Sequence, residues 1–416
     1  MLRDDPAAAT GLRARWPRIS VDEYQDIDPV QYDLLRMISG DGAGLTAIGD
    51  PDQSIYRFRG ADVGIFGRFA ADFPGATTVE LTRNYRSNPA IVTAAMQAIS
   101  PGTLIPGRTA VAVRGGPAGV VTFDEAADEH AEAAWIAATI DRLLGGASFH
   151  SLDSGRADGH EHGKLGLSDI AVLYRTDAQA GPLTQALTRA GLPFQKRSHD
   201  LLARRPGVAD ILREMRLSDP GPAPAASDES GPSGDVSGQL AAAVRALVAA
   251  RGERDATVTD VRAAAELLTP LARRCGADLE RFRAEIALGA ETDALDPRAE
   301  AITLLTLHGA KGLEFDVVFL AGCERGLLPL RLPGSGPADP GDVAEERRLL
   351  FVGMTRARER LLLSGAARRT RHGSEETAGR SAFLAPIRPE PPGLLVPGLT
   401  GPRRPRRPAG RQLRLL

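Results

Sequence analysis

Two adjacent carboxylates, Asp22 and Glu23, follow a short apolar stretch near the start of the chain. After a strand, such a pair can hold a divalent metal ion and face a water molecule, as hydrolysis of a magnesium-bound nucleotide requires. A solvated turn is the alternative for an acidic pair taken alone. The pair would be half of a nucleotide site, whose other half is a glycine-rich loop that cradles the phosphates.

No such loop, G-x-x-x-x-G-K-[S/T], occurs in the 416 residues. The nearest segment, GHEHGKLG, places Leu165 after Lys164, so it lacks a metal-binding hydroxyl, and its bulky side chains prevent a backbone cradle. We therefore expect either that the chain is a fragment of a longer protein or that the loop lies on another polypeptide.

A second polar segment, GDPDQSIYRFRGA at 49–61, follows the next apolar stretch. It places Gln53 where an amide could sense a terminal phosphate, and then alternates aromatic residues with arginines. Aromatic rings can stack on single-stranded bases while arginines neutralise the phosphate backbone. A polar turn before a helix would explain the segment equally well. The alternating residues are Tyr56, Arg57, Phe58 and Arg59.

Three further segments carry groups suited to a nucleotide, although each could be structural. RNYRSNP places Tyr85 beside Arg86, an aromatic platform next to a guanidinium. TLHGAKGLEFDVV contains Glu314, which could accept hydrogen bonds from a ribose. EERRLLFVGMTRARER brings Arg356 to a helix end, where it could reach a phosphate as an arginine finger.

The elements that would position these groups are short apolar strands alternating with helices, over residues 17–82 and again from about 300. This alternation predicts α/β domains with mainly parallel sheets. One of the predicted strands is TTVELT, residues 77–82. A Pro/Gly/Ser/Asp-rich stretch from 218 predicts a flexible linker, and the Ala- and Arg-rich residues 239–290 predict helices. Residues 386–416, with eight prolines and seven arginines, predict a disordered tail.

Composition sets the broad class of the protein. The chain is 43% hydrophobic and 25% charged with a net charge of −2, which is typical of a globular protein of two to three domains. Two cysteines exclude a disulfide framework and a cysteine zinc site. The sequence has no apolar run of about 18 residues and no signal-peptide core, so we expect a cytoplasmic protein without membrane contact. For His150, His160 and His162, a solvated loop is favoured over a metal site.

Taken together and in this order, the segments resemble the UvrD-like superfamily 1 DNA helicases, over residues 15–100, 165–215 and 300–370. The resemblance implies two RecA-like domains of the P-loop NTPase type, with ATP and Mg²⁺ bound between them. It also implies a motor that couples ATP hydrolysis to movement along single-stranded or partly duplex DNA, usually 3′ to 5′.

The resemblance divides the chain into five regions. They are a partial first RecA-like domain (1–82), the first part of the second (83–215), a linker with a reduced helical insert (216–299), the second part of the second domain (300–385) and the tail (386–416).

The resemblance also assigns roles to the nucleotide residues. Asp22 would coordinate magnesium, Glu23 would be the general base, and Gln25 belongs to the same acidic motif. Gln53 would couple the γ-phosphate to the DNA site. Of the remaining residues, Tyr85 would stack on adenine, Arg86 and Arg356 would contact the γ-phosphate, and Glu314 would bind the ribose.

The residues implied along the DNA strand are Tyr56, Phe58, Arg59 and His308. Phe58 stands where the family commonly has Trp, which keeps the stacking surface but removes an N–H donor. A non-catalytic DNA-binding or partner-binding paralogue without a phosphate loop is the alternative to a helicase. The retained Asp22, Glu23, Arg86 and Arg356 argue against it, and the reading frame upstream of Met1 would discriminate the two.

The final residues, QLRLL, resemble the Gln-Leu-x-Leu-Phe peptide by which bacterial proteins dock on the replicative sliding clamp. The residues concerned are Gln412, Leu413, Leu415 and Leu416. A flexible tail can place leucines in an apolar pocket while a glutamine bonds at its rim. A basic disordered arm that adds salt-sensitive affinity for DNA is the alternative.

Overall fold

The computed structural model describes residues 5–114, 120–145, 165–197, 207–217, 235–252, 255–288, 299–331, 339–371, 374–388 and 394–397. No helix in these ranges is long and apolar enough to span a membrane.

A small parallel sheet carries the acidic pair. Its strands are β1 (Ile19–Val21) and β2 (Leu45–Ala47), and helices α2 (Pro29–Ser39) and α3 (Val63–Asp72) contribute to its core. Helix α1 (Pro6–Arg15) packs against α2. The core is small, and its buried residues are Tyr24, Ile27, Leu35 and Ile65. The start of α2 is fixed by a capping box, in which the Asp28 carboxylate accepts hydrogen bonds from the first-turn backbone.

The predicted strand at 77–82 does not form. Val79 and Leu81 are 76% and 89% exposed. The ladder forms at the next two residues, as β3 (Arg83–Asn84) in parallel with β4 (Val111–Ala112), and Thr82 O accepts a hydrogen bond from Val111 N at 2.8 Å. The alternation of residue types is that of a strand, but within the described ranges no neighbouring strand pairs with 77–81. A strand without a partner leaves its backbone groups to solvent, so the prediction was wrong for this segment.

A seven-stranded parallel sheet forms the centre of the larger unit, which confirms the predicted α/β class. In spatial order its strands are β12 (Leu394–Pro397), β5 (Val120–Asp128), β10 (Ala357–Arg371), β9 (Phe315–Leu320), β6 (Ile170–Tyr174), β8 (Ile302–Thr306) and β7 (Phe194–Arg197). A short β11 (Ser374–Thr377) returns antiparallel to β10. Every residue of β6 is buried, as expected for a parallel sheet covered on both faces.

Two cores lie on the opposite faces of this sheet. Helices α4 (Pro89–Ile99) and α11 (Pro340–Met354) pack on one face, and α5 (Glu129–Leu143) and α6 (Ala180–Arg189) pack on the other. The residues of β6 alternate between the two cores, because successive side chains of a strand point to opposite faces.

Four helices form a separate third core. They are α7 (Val208–Leu217), α8 (Val236–Arg251), α9 (Ala256–Cys275) and α10 (Leu279–Leu288). The predicted division placed residues up to 215 with the large sheet. However, Val208, Ile211 and Met215 are buried among the other helices, so α7 packs with this helical unit.

The tail also differs in part from its prediction as disordered. Leu394–Pro397 forms strand β12 beside β5 at the edge of the large sheet. The four residues of the clamp-like peptide, at 412, 413, 415 and 416, lie outside the described residues.

A buried cluster of charges ties three elements of the large unit together. Arg369 on β10 donates from Nε to Glu324 Oε1 at 2.6 Å and from Nη2 to Glu132 on α5. Gly322 N donates to Glu132 Oε1 at 2.8 Å, and Ala366 N donates to Glu324 Oε2 at 2.5 Å. Burial raises the pKa of Glu324, and Arg369 opposes that rise. One arginine therefore compensates two buried carboxylates.

Candidate nucleotide and nucleic-acid site

The acidic pair occupies a strained turn directly after β1. Glu23 has a φ of +51°, the only positive φ of a non-glycine among the described residues. Its backbone N–H donates to Asp22 Oδ1 at 2.8 Å, and Gln25 Nε2 donates to Glu23 Oε2 at 2.5 Å. Gln25 is buried and accepts a hydrogen bond from Asp50 N at 3.0 Å. Gln25 thus joins the acidic turn to the turn that follows β2.

Sequence reasoning missed Lys311, which contacts the acidic turn from the large unit. Its side chain is only 6% exposed, and its Nζ lies 3.0 Å from Glu23 Oε2 and also pairs with Asp26. The same ammonium donates to the backbone carbonyl of Gln53 at 2.9 Å and lies 5.3 Å from the ring centroid of Tyr56. Burial raises the pKa of Asp26, and Lys311 opposes that rise. Two features of the sequence could have indicated a role for Lys311. It is one of three lysines in the chain, and it lies within the GAKGLEF segment.

Glu314 is held between two arginines. Arg86 Nε lies 2.5 Å from Glu314 Oε2, and Arg358 pairs with the other carboxylate oxygen. The hydrogen bonds from Arg358 and then Arg86 lower the pKa of Glu314 to about 2. Arg86 also donates to the Thr355 carbonyl at the end of α11. In this structure Glu314, which was predicted to bind the ribose, and Arg86, which was predicted to bind the γ-phosphate, therefore bind each other.

Arg356 is buried beside this group. It is 2% exposed, and its guanidinium donates to Val352 O at 2.9 Å, Leu313 O at 3.3 Å and Thr355 Oγ1 at 3.1 Å. Burial and the nearby charge of Arg86 lower its pKa to about 10. In this structure the three nitrogens of the guanidinium all donate to protein acceptors, so the contact of Arg356 with a phosphate stays a prediction.

The turn that carries Gln53 is held by other polar groups. Gln53 Nε2 donates to Asp50 Oδ2 at 3.0 Å. Arg108, a second residue that sequence reasoning missed, donates to both oxygens of Asp50 at 2.6 Å and to Asp52 Oδ2 at 3.1 Å. No local pattern around Arg108 marks it, because its partners lie more than 50 positions earlier in the chain.

The four residues predicted along a DNA strand lie together, with Phe58 and Arg59 exposed and Tyr56 and His308 partly buried. Phe58 is 67% exposed and meets the ring of His308 edge-on, with 5.3 Å between ring centroids. Tyr56 lies 6.0 Å from Phe58 in a similar edge contact. The Arg59 guanidinium carbon lies 5.1 Å from the Tyr56 centroid and 5.6 Å from that of Phe58. Arg57 turns away and pairs with Asp339 and Asp342 at the start of α11.

The remaining sequence assignments concern adenine and magnesium. Tyr85 is exposed, as a stacking platform would need to be. Asp22 is exposed and has one oxygen bonded to Glu23 N, which leaves the other for a cation. A single carboxylate fits Mg²⁺, which usually takes one or two carboxylates together with water and phosphate oxygens. The described residues contain no cluster of three or more metal-ligating side chains, and His150, His160 and His162 lie outside them.

The low pKa of Glu314 predicts how stability depends on pH. A carboxyl whose folded pKa is about 2, below its ordinary 4.5, contributes stability that is complete above 4.5 and is lost as the pH falls towards 2. We expect Glu314→Gln to be less stable than the parent at neutral pH, with a difference that disappears through this window. Urea unfolding at a series of pH values measures it. A difference that stays constant down to pH 2 would contradict the ion pairs as its cause.

Two family models match the chain. The UvrD/REP helicase N-terminal domain matches residues 1–74, and the UvrD-like helicase C-terminal domain matches residues 79–220 and 240–368.

Several curated proteins are similar over nearly the whole chain. ATP-dependent DNA helicase UvrD2 of Mycobacterium tuberculosis is 35% identical over 410 residues, which are 95% of this chain and 54% of that protein. ATP-dependent DNA helicase PcrA of Bacillus subtilis is 29% identical, over 92% of this chain and 59% of that protein. The chain thus spans a little over half the length of these relatives. With the C-terminal family model covering more than half of its residues, the chain belongs to the UvrD-like superfamily 1 DNA helicases.

Proposed function

We propose that this chain is the motor portion of an ATP-dependent DNA helicase that moves 3′ to 5′ along single-stranded DNA. One observation carries the proposal. Within the single segment 308–314, His308 contacts Phe58 of the aromatic cluster formed by Tyr56, Phe58 and Arg59. In the same segment Lys311 contacts the acidic turn, and Glu314 contacts Arg86. A short segment that contacts both a nucleotide site and a DNA site can transmit the state of one to the other.

Each side chain of the nucleotide site has a separate proposed role. Asp22 would hold a magnesium ion, which neutralises phosphate charge when it is bound. Glu23 accepts the proton of the attacking water, and the hydrogen bond from Gln25 and the ion pair with Lys311 fix the position of its carboxylate. Arg86 and Arg356 supply positive charge where negative charge develops, once Arg86 has exchanged Glu314 for a phosphate.

Hydrolysis also depends on a phosphate-binding loop. The 416 residues contain no G-x-x-x-x-G-K-[S/T] segment, and we propose that hydrolysis requires such a loop in addition to the residues named above. A non-catalytic DNA-binding paralogue remains the second candidate function. The Glu23 substitution described in the Discussion separates the two candidates.

Stacking on DNA bases is tested most directly at Phe58. We expect Phe58→Ala to weaken binding of a single-stranded oligonucleotide by about 1–3 kcal/mol, the usual value for one stacked base. Fluorescence anisotropy with the 416-residue chain measures this change. Trp16→Ala is the matched control, because Trp16 is also a half-exposed aromatic residue but lies outside the cluster. Equal affinities for the two variants would refute the stacking role.

Docking on a sliding clamp through residues 412–416 stays a prediction. The basic arm is the favoured alternative, because the nearby arginines supply the positive charge that binds DNA. A tail peptide titrated against the clamp should bind more tightly than its Gln412→Ala/Leu415→Ala variant. If both peptides bind equally weakly and only salt changes the signal, the tail acts as an electrostatic arm.

A further inference from the structure

Arg108 lies outside every motif used so far, in the connection between α4 and β4. Its side chain is largely buried, and it forms two-pronged contacts with Asp50 and a further contact with Asp52. Arginine is suited to this arrangement because its planar guanidinium presents several donors in fixed directions. Lysine, with one compact ammonium, cannot reproduce the same set of contacts.

The second carboxylate of this group, Asp52, is completely buried. Thr103 Oγ1 donates to its Oδ2 at 2.6 Å, and Leu104 N donates to its Oδ1 at 2.7 Å. A buried carboxylate is costly unless it is paired and hydrogen-bonded, and both oxygens of Asp52 accept hydrogen bonds. The Arg108 guanidinium also lies 5.1 Å from the ring centroid of Phe351 on α11. Arg108 thereby ties the turn at 50–53 to the core of the large unit.

One carboxylate oxygen links Arg108 to the proposed phosphate sensor. Asp50 Oδ2 accepts from Arg108 Nη2 at 2.6 Å and from Gln53 Nε2 at 3.0 Å. Fixing the Asp50 carboxylate therefore fixes the direction of the Gln53 amide. None of the contacts of Arg108 involves Tyr56, Phe58 or another residue of the aromatic cluster.

The chain beyond the turn is fixed as well, up to the aromatic cluster. Arg348 Nε donates to Ser54 O at 2.8 Å, and Ile55 is fully buried in the core that α4 and α11 share. Glu345 accepts from Arg57 N at 3.1 Å. The segment from the turn at 50–53 to Phe58 is therefore held by contacts at several positions along its length.

We propose that Arg108 is a positioning residue that acts through Asp50 on Gln53 and on the placement of Phe58. The proposal rests on the proposed function, because it assumes that the aromatic cluster binds single-stranded DNA. Arg108 contributes no direct contact with a phosphate, so its removal lowers DNA affinity without changing the number of phosphates that are neutralised.

The test is a salt titration of oligo(dT) binding with the 416-residue chain. We expect Arg108→Ala to weaken affinity about tenfold at fixed salt, in the range measured for coupled contacts. The slope of log affinity against log salt should remain that of the parent, because the slope counts phosphate contacts. Arg114→Ala is the matched control, since Arg114 lies shortly after β4 and makes an exposed ion pair with Glu359.

Two further measurements separate positioning from general damage to the fold. Methylguanidinium, added at constant ionic strength, should restore binding to Arg108→Ala but not to Phe58→Ala. In addition, Asp50→Asn should weaken binding, and the double variant should bind no more weakly than Arg108→Ala alone. If Arg108→Ala does not fold, Arg108→Lys replaces it in the same measurements, because lysine cannot bond the carboxylates of both Asp50 and Asp52.

The possible outcomes distinguish the two proposals. Parent affinity in Arg108→Ala, a reduced salt slope, additive effects with Asp50→Asn or failure of methylguanidinium rescue would each overturn the positioning role. Failure of the proposed function gives a different result, namely a parent chain that does not bind oligo(dT) or binds it independently of Phe58.

Discussion

Replacing Arg369 with methionine is expected to destabilise the fold by about 3–5 kcal/mol, the usual cost of removing one partner from a buried ion pair. The substitution keeps most of the side-chain volume but leaves the carboxylates of Glu132 and Glu324 facing each other without a cation. Both carboxylates are buried, so water cannot replace the lost partner. Equilibrium unfolding in urea measures the loss as a lower transition midpoint.

Arg368→Met is the matched control for this substitution. Arg368 is the preceding residue on β10, but it is exposed and pairs with an exposed Glu375. Its replacement should change stability by less than about 1 kcal/mol, as for other surface ion pairs. The deficit of Arg369→Met should also narrow as the pH is lowered, because burial raises the pKa of Glu324 and its protonation removes one of the uncompensated charges. Equal midpoints for the two variants would show that the buried cluster does not hold the elements together.

Much of the fold could be predicted because its signals are local. Buried parallel strands such as Ile170–Tyr174 are continuous apolar runs, and α2 begins at a capping box that the sequence displays. The incorrect predictions concern which elements pair or pack with each other. Residues 77–82 have the alternation of a strand, but pairing depends on a neighbour that no local pattern reveals. Helix α7 has an apolar stripe that could pack on either unit, and only the structure shows that Val208 lies in the helical core.

The residues of the candidate site show the same difference between local and long-range signals. Asp22, Glu23 and Phe58 stand in motifs a few residues long, so their types and spacing suggested chemistry. Lys311 pairs with a carboxylate 285 positions away, and Arg108 with one 58 positions away. Ion pairs between distant segments leave no periodicity in the chain. The division into five regions and the role of each site residue stay predictions.

Replacing Glu23 with glutamine tests the catalytic half of the proposal. In a protein that combines these residues with a phosphate loop, we expect Glu23→Gln to keep ATP binding and to lower DNA-stimulated hydrolysis by about 10²–10⁴-fold, the usual contribution of a general base. The amide preserves shape and can still contact Gln25, but it cannot take a proton from water. Nucleotide affinity and turnover are measured on the same preparation, so binding and chemistry are separated. Glu80→Gln is the matched control, because it makes the same change at an exposed residue outside the site.

The same pair of variants discriminates a motor from a non-catalytic paralogue. In the 416-residue chain alone, ATP turnover should barely exceed background, because the backbone amides and lysine of a phosphate loop are absent from its sequence. Robust DNA-stimulated turnover of this chain, abolished by Glu23→Gln but not by Glu80→Gln, would show that no separate loop is required. If a loop is supplied and turnover still does not depend on Glu23, the acidic turn is not catalytic. The contacts of Glu23 with Gln25 and Lys311 would then serve only to join the small sheet to the large unit.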